Sequence, residues 1–139
     1  MADTVFSKII AGQIPCHRLY EDDRVLAFLD IEPLSPGHAL VIPKQPSRTL
    51  DEVDEATAAS LGVALVKVAR ALKAVTGCPA YNVLQNNEAL AHQAVFHVHF
   101  HVIPKPNADE GLGVRWPKRA LDHDAAAKLA ELVRQHIAH

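Results

Sequence analysis

Apolar residues recur at two different periods along this chain, and the changes of period mark out its elements. Val5, Phe6, Ile9 and Ile10 are spaced as one face of a short helix. Gly12 and the Ile14-Pro15 step end it. His17-Arg18-Leu19-Tyr20 and Val25-Leu26-Ala27-Phe28-Leu29 flank an acidic turn and predict a hairpin. Pro33, Pro36 and Gly37 make a loop, and His38-Ala39-Leu40-Val41-Ile42-Pro43 reads as an interior strand that its proline closes. Over residues 51–75, Val53, Leu61, Leu65, Val68 and Leu72 follow the 3.6 period of a long helix. Asp51, Asp54 and Glu55 occupy its first turn, where the helix dipole favours anions, and Gly77 ends it. Residues 81–85 predict a strand and 86–92 a polar loop. Residues 95–103 alternate strictly, as a strand with two unlike faces does, and Pro104 and Pro106 terminate it. A tail containing Gly111, Gly113, Trp116 and Pro117 follows without a clear pattern. Asp122 then caps a last helix bearing Leu129, Leu132, Val133 and Ile137. Strands in a run around one long helix predict an α+β fold with an antiparallel sheet.

Composition narrows the class without changing that picture. No repeat, low-complexity tract or Gly/Ser linker divides the 139 residues. One domain is expected over 1–139, with a core over 1–106 and a tail and helix over 107–139. Hydrophobic residues at 49% and charged residues at 22% exclude a disordered tail, a collagen-like fibre and a disulfide miniprotein. With 14 basic against 16 acidic side chains the net charge is −2, which implies no attraction to nucleic acid or anionic lipid. No basic segment followed by an apolar run opens the chain, and no apolar stretch nears the ~18 residues that span a bilayer. Cys16 and Cys78 are too few for a disulfide framework and fit a reduced, cytoplasmic setting.

The chemistry is concentrated in the histidines. There are nine, and His97, His99 and His101 fall within five consecutive residues. At a period of two, all three imidazoles project from one face of a strand, while Val98, Phe100 and Val102 project from the other. Three imidazoles together repel if all are charged, so at least one stays neutral near pH 7. Three readings remain open at this point. The strand is merely half-exposed and rich in histidine, or the imidazoles share a zinc ion, or one attacks an electrophile while the others orient it and donate to oxyanions.

His97-Val98-His99-Phe100-His101-Val102-Ile103 resembles the signature of the histidine-triad nucleotide-binding family, and three further segments match in order. They are residues 6–15, 21–31 and 36–44, so the resemblance spans roughly residues 5 to 104. It implies a sheet of about five antiparallel strands, one long helix and short terminal helices. It also implies hydrolysis or transfer of purine nucleoside monophosphates, as phosphoramidates or related derivatives, through a nucleotidyl-histidine intermediate. By position His99 is the implied nucleophile, His101 a donor to the phosphate or leaving group, and His97 and His38 the supporting imidazoles. The tautomer of the nucleophile requires a bond from its other ring nitrogen, expected to a backbone carbonyl. Asp30 matches the ribose-binding acid, Phe6, Ile9, Phe28 and Ile31 the base pocket, and Asn86 and Gln93 the polar residues beside the phosphate. The resemblance implies no cofactor, no metal in the chemistry, and a homodimer that continues the sheet or packs helices across a two-fold axis.

The chain also departs from that pattern. Glu88 and His92 stand where many relatives have glycine, which predicts added negative charge and bulk at the phosphate entrance. Ala94 stands where some relatives place a hydroxyl. Thr4, Ser7 and Pro46 occupy the positions of a structural zinc site found in some members, so that site is expected to be absent. The competing functions are a dinucleoside polyphosphate hydrolase, a nucleotide-binding module with little turnover, and a metal-dependent hydrolase.

Overall fold

The structure is a computed structural model that describes residues 3–138; Met1, Ala2 and His139, at the two ends of the expected 1–139 domain, lie outside the described residues. The elements follow in the order α1 (Val5–Ile10), β1 (Arg18–Glu21), β2 (Val25–Leu29), β3 (Ala39–Pro43), α2 (Glu55–Thr76), β4 (Tyr81–Gln85), β5 (Phe100–Pro104) and α3 (His123–His136). The five strands form one sheet in the order β1-β2-β3-β5-β4, and every neighbouring pair is antiparallel. The α+β class, the antiparallel sheet and the single long helix expected from the sequence are what the chain adopts.

Strands β2 and β3 are buried on both faces, which is why they read as unbroken apolar runs. One face carries Val25, Ala27, Ala39, Val41 and Val102 against Leu61, Ala64, Val68 and Ala69 of α2. The other carries Leu26, Phe28, Leu40 and Ile42, covered by Phe6 from α1. The two layers therefore differ: a long helix closes one side of the sheet, and a single turn and a half of helix partly closes the other. That second side is left with a cleft.

Two predicted elements change their bounds. The long helix does not begin at residue 51. Leu50–Glu52 form a 3₁₀ turn, Val53 is extended (ψ 133°), and the Asp54 carboxylate accepts a hydrogen bond from the Thr57 N–H at 2.7 Å. Asp54 is thus the N-cap, the role its short side chain fills better than a helical one. The histidine strand does not pair from residue 95. The ladder begins at Phe100, because the Val98 N–H donates to the Ser47 carbonyl (2.8 Å) in the loop after β3 instead of to a neighbouring strand. His99 and His101 both line the cleft, as the predicted one-sided placement requires, whereas residues 95–97 bend and His97 is enclosed beside Phe6.

At the N-terminus, Thr4 and Ser7 form a capping box for α1: Thr4 Oγ1 accepts from the Ser7 N–H (3.1 Å) and Ser7 Oγ accepts from the Thr4 N–H (2.8 Å). At the C-terminus, Asp122 caps α3 as expected, and none of the residues of α3 is buried. Among the described residues, no helix is long and apolar enough to cross a membrane.

Candidate active site

The cleft beside α1 has a volume of about 500 Å³, within the range of small-molecule sites. Phe6, Ile9, Phe28 and Ile31 line one side of it, and Asp30, His38, His99 and His101 line the floor. Asn86, His92 and Ala94 lie along its other edge. Register explains the floor: His101 sits on the cleft face of β5, between Leu40 of β3 and Leu84 of β4. His38 immediately precedes β3, and the polypeptide reaches it through a turn in which the His38 N–H donates to the Ser35 carbonyl (3.1 Å). Pro36 and Gly37 are the two central residues of that turn. Gly37, at φ +90°, supplies the left-handed conformation that a type II turn requires there.

The hydrogen bonds assign a tautomer to each imidazole. His99 Nδ1 lies 2.8 Å from the His97 carbonyl oxygen, which only accepts, so Nδ1 carries the hydrogen and Nε2 keeps its lone pair. His97 is therefore the source of the backbone acceptor that the sequence could not name. His38 Nδ1 lies 3.0 Å from the Leu34 backbone nitrogen, which only donates, so the hydrogen of His38 is on Nε2. That Nε2–H points at His101 Nδ1 at 2.9 Å. His101 Nδ1 is thereby the acceptor, and its own hydrogen is on Nε2. His97 donates from Nε2 to the Pro43 carbonyl at 2.7 Å, and its Nδ1 is the buried side-chain atom left without a partner among the described residues.

Burial keeps these groups uncharged. It lowers the pKa of His97, His99 and His38 below the usual imidazole value, against opposing hydrogen bonds to backbone carbonyls for the first two and the nearby Asp30 carboxylate for the last. His101 is pushed down to about 4, by burial first and then by repulsion from His99 and His38, with Asp30 opposing. The ring centroids of His99 and His101 are 5.0 Å apart, and Phe6 meets His99 edge-on at 5.0 Å. The arrangement thus offers one neutral imidazole with a free lone pair on Nε2, and beside it another with an Nε2–H to donate.

Asp30 holds its place through Oδ1, which accepts from the Glu32 N–H at 2.8 Å, and its Oδ2 lies 3.5 Å from His38 Nε2. Asp30, His38 and His101 form a group whose ligand atoms lie close enough together to share a cation. The tautomers fit a metal poorly there, because the Leu34 amide occupies the His38 Nδ1 lone pair and leaves Nε2 protonated. A metal on Nε2 would require an imidazolate.

Two of the expected site residues stand behind the cleft wall. Gln93 is buried and its amide is fully engaged: Oε1 accepts from the Glu88 N–H (2.6 Å), and Nε2 donates to the Arg48 (2.7 Å) and Val95 (3.1 Å) carbonyls. It braces the loop over residues 88–95 and has no donor left for a phosphate. His97 is likewise enclosed. The charge expected from Glu88 at the entrance is compensated, since its carboxylate pairs with Arg48 at 3.1 and 3.2 Å while Arg48 lies over the Phe96 ring. His92 does reach the cleft. Both Glu88 (φ 74°) and His92 (φ 69°) take the left-handed backbone that glycine adopts without strain. Leu34, Leu40, Leu84 and Val95, which also line the cleft, carry no signal that distinguishes them from core.

A HIT domain family model matches residues 11–108. The chain is 46% identical over 133 residues to an adenosine 5'-monophosphoramidase of Schizosaccharomyces pombe, covering 96% of this chain and 97% of that protein. It is 40% identical over 138 residues to an adenylylsulfatase of Arabidopsis thaliana, covering 97% of this chain and 70% of that one. Among solved structures, a member of the HIT family from Bacillus subtilis superposes with a TM-score of 0.94 at 36% identity over 99% of both chains. A histidine triad nucleotide-binding protein from Candida albicans superposes with a TM-score of 0.88 at 40% identity over 96% of both.

The depressed basicity of the site has a consequence for stability. An unfolded imidazole takes up its proton near pH 6.5, whereas His101 in the folded chain does so only at about 4. Between those values the unfolded state binds more protons, so acid favours unfolding. Between pH 6.5 and 5, above the range of ordinary carboxylates, His101 alone should remove about 1.6 kcal/mol of stability. Urea titrations at both pH values read this loss, and an unchanged midpoint would show that the imidazoles are not held neutral.

Proposed function

The chain belongs to the HIT domain family, and we propose that it hydrolyses purine nucleoside monophosphate derivatives of the phosphoramidate type through a covalent intermediate on His99. The observation that carries this reading is the bond from His99 Nδ1–H to the His97 carbonyl, which leaves the Nε2 lone pair directed at the cleft. Nε2 attacks the α-phosphorus as the bond to the leaving group breaks. The electron pair goes to the leaving atom, which takes up a proton from solvent at the open edge of the cleft. The His97 carbonyl stabilises the positive charge that develops on the ring. Water then attacks the same phosphorus, loses a proton to solvent and returns His99 to its neutral form.

Phosphorus substitution concentrates charge on the non-bridging oxygens, and the His101 Nε2–H is the donor placed beside them. A neutral imidazole is a poor proton source, so His101 acts here by hydrogen bonding. The Asp30 carboxylate accepts from the ribose hydroxyls. Phe6, Ile9, Phe28 and Ile31 receive the base, and Asn86 flanks the phosphate. The names of the relatives in S. pombe and A. thaliana support this substrate class, with nitrogen or sulfate leaving groups on an adenylyl phosphorus.

The chain is expected to act as a homodimer. Val63 and Val66 on α2 and Tyr81 and Val83 on the edge strand β4 are exposed, and so are Leu129, Leu132, Val133 and Ile137 on α3. Apolar faces of this extent favour a second copy over water. Sedimentation at micromolar concentration should give twice the 15.1 kDa chain mass, and a monomer would refute this part. The free thiols of Cys16 and Cys78 support the cytoplasm as its location, and a net charge of −2 supports a small-molecule substrate over nucleic acid.

The catalytic reading is tested with an adenosine phosphoramidate as substrate. Turnover should persist after exhaustive chelation, whereas His99→Ala should lose at least ~10³-fold of it, since no other group forms the bond. The same variant should still bind AMP, because the base and ribose contacts lie elsewhere. Activity abolished by chelation and restored by added zinc would overturn the mechanism. AMP binding without turnover in the wild type would instead make the chain a nucleotide-binding module.

A further inference from the structure

Which ring nitrogen of His101 carries its hydrogen is set at a distance, by a residue whose side chain takes no part. His38 has its hydrogen on Nε2 because the Leu34 N–H fills its Nδ1 lone pair at 3.0 Å, and the Asp30 carboxylate, 3.5 Å from Nε2, favours the same tautomer. Leu34 is not anchored by burial, since it is 47% exposed. Two other bonds hold the backbone there. The Leu34 carbonyl accepts from the Gly111 N–H at 3.0 Å, and the buried Ser35 hydroxyl donates to the Pro104 carbonyl at 2.6 Å. Both ties come from the end of β5 and the segment after it, about seventy residues away in sequence. That segment is folded back by Lys105, whose Nζ donates to the Ala108 and Leu112 carbonyls at 3.2 and 3.3 Å. Gly111 has φ +85°, and a Cβ at this position would lie 2.7 Å from the Pro104 oxygen and 3.0 Å from Lys105 Cδ. No side chain fits without displacing the tie.

We infer that Ser35 and Gly111 are positioning residues that fix the tautomers of His38 and His101 by holding the Leu34 amide on His38 Nδ1. The relay has two states, and the second is the costlier because it turns the His38 Nε2 lone pair toward Asp30 Oδ2, 3.5 Å away. With Leu34 in place, His38 donates from Nε2 and His101 presents Nε2–H to the cleft. If His38 loses that donor and takes its hydrogen on Nδ1, its Nε2 becomes an acceptor. His101 must then donate from Nδ1, and its Nε2 turns a lone pair toward the phosphate oxygens in place of a hydrogen. A donor becomes a repulsive group without any change in the triad itself. His99 is outside this relay, because its own tautomer depends on the His97 carbonyl.

The inference rests on the role given to His101 above, and the test separates the two. Protein labelled with ¹⁵N-histidine reports each ring nitrogen as pyrrole-like or pyridine-like. Wild type should show pyrrole-like Nε2 and pyridine-like Nδ1 for both His38 and His101. In Ser35→Ala and in Gly111→Ala the two nitrogens of each ring should move toward a common average, while those of His99 stay as they are. The kcat on an adenosine phosphoramidate should fall at least ~10-fold, less than the ~10²–10³ lost with a whole oxyanion donor because the donor tautomer is only partly depleted, with KM changed less. Ser35→Thr, which keeps the hydroxyl, should restore both readouts. Either alanine variant suffices if the other does not fold. Unchanged His38 and His101 signals in a folded variant would overturn the inference, and so would an equal shift of His99, which signals general loosening. Shifted tautomers with undiminished kcat would sustain it and overturn the role of His101.

Discussion

Burying imidazoles on the floor of a cleft is the constraint from which the rest follows. His97, His99 and His38 are each almost wholly removed from water, and His101 is largely so. A charged ring there would carry a heavy desolvation cost, so the rings stay neutral. A neutral imidazole is asymmetric, one nitrogen donating and the other accepting, and a buried one must find a matching group for each. The architecture around the site consists largely of those matching groups. They are the His97 and Pro43 carbonyls, the Leu34 amide and the neighbouring rings themselves. Among the described residues, Nδ1 of His97 is the buried side-chain atom left without a partner.

The two layers of the fold divide the work. Helix α2 and the β2, β3 and β5 residues facing it form an apolar core that fixes the sheet. The opposite face can therefore be left open under α1, with polar rings where a core would otherwise continue. Phe6 joins the two requirements, since it packs on Phe28 within the apolar cluster and edge-on against His99 and His97. The loops carry the remaining control. Gln93 and the Arg48–Glu88 pair hold the strained turn at residues 88–92, and the ties from Ser35 and Gly111 hold the approach to His38.

What the sequence made legible was whatever depends on period and on residue type. Alternation in 95–103 placed the imidazoles on one face; His99 and His101 share the cleft although only Phe100–Pro104 pairs as a strand, while His97, in a bent segment, is enclosed beside it. The apolar runs of β2 and β3 and the spacing in α2 led to an antiparallel sheet with one long helix, and the resemblance supplied the number of strands. The start of α2 was misplaced because Asp51 and Asp54 are equally good first-turn residues, and the cap bond that distinguishes them is tertiary detail. The resemblance put Gln93 beside the phosphate, and an amide's residue type does not show that its side chain also satisfies the Glu88, Arg48 and Val95 backbone. The Leu34 amide, which orients His38, left no trace in the pattern, since every residue but proline has one. The Pro36-Gly37 turn that brings it there was the available signal.

The account stands on the claim that the His97 carbonyl makes Nε2 of His99 the attacking atom. Rapid alkaline quenching of the wild-type protein during turnover of an adenosine phosphoramidate, followed by mapping of the nucleotidylated residue and its linked nitrogen, tests this directly. The account predicts a single adduct of AMP on His99 joined through Nε2. An adduct through Nδ1, an adduct on another histidine, or turnover with no covalent species at all would contradict it.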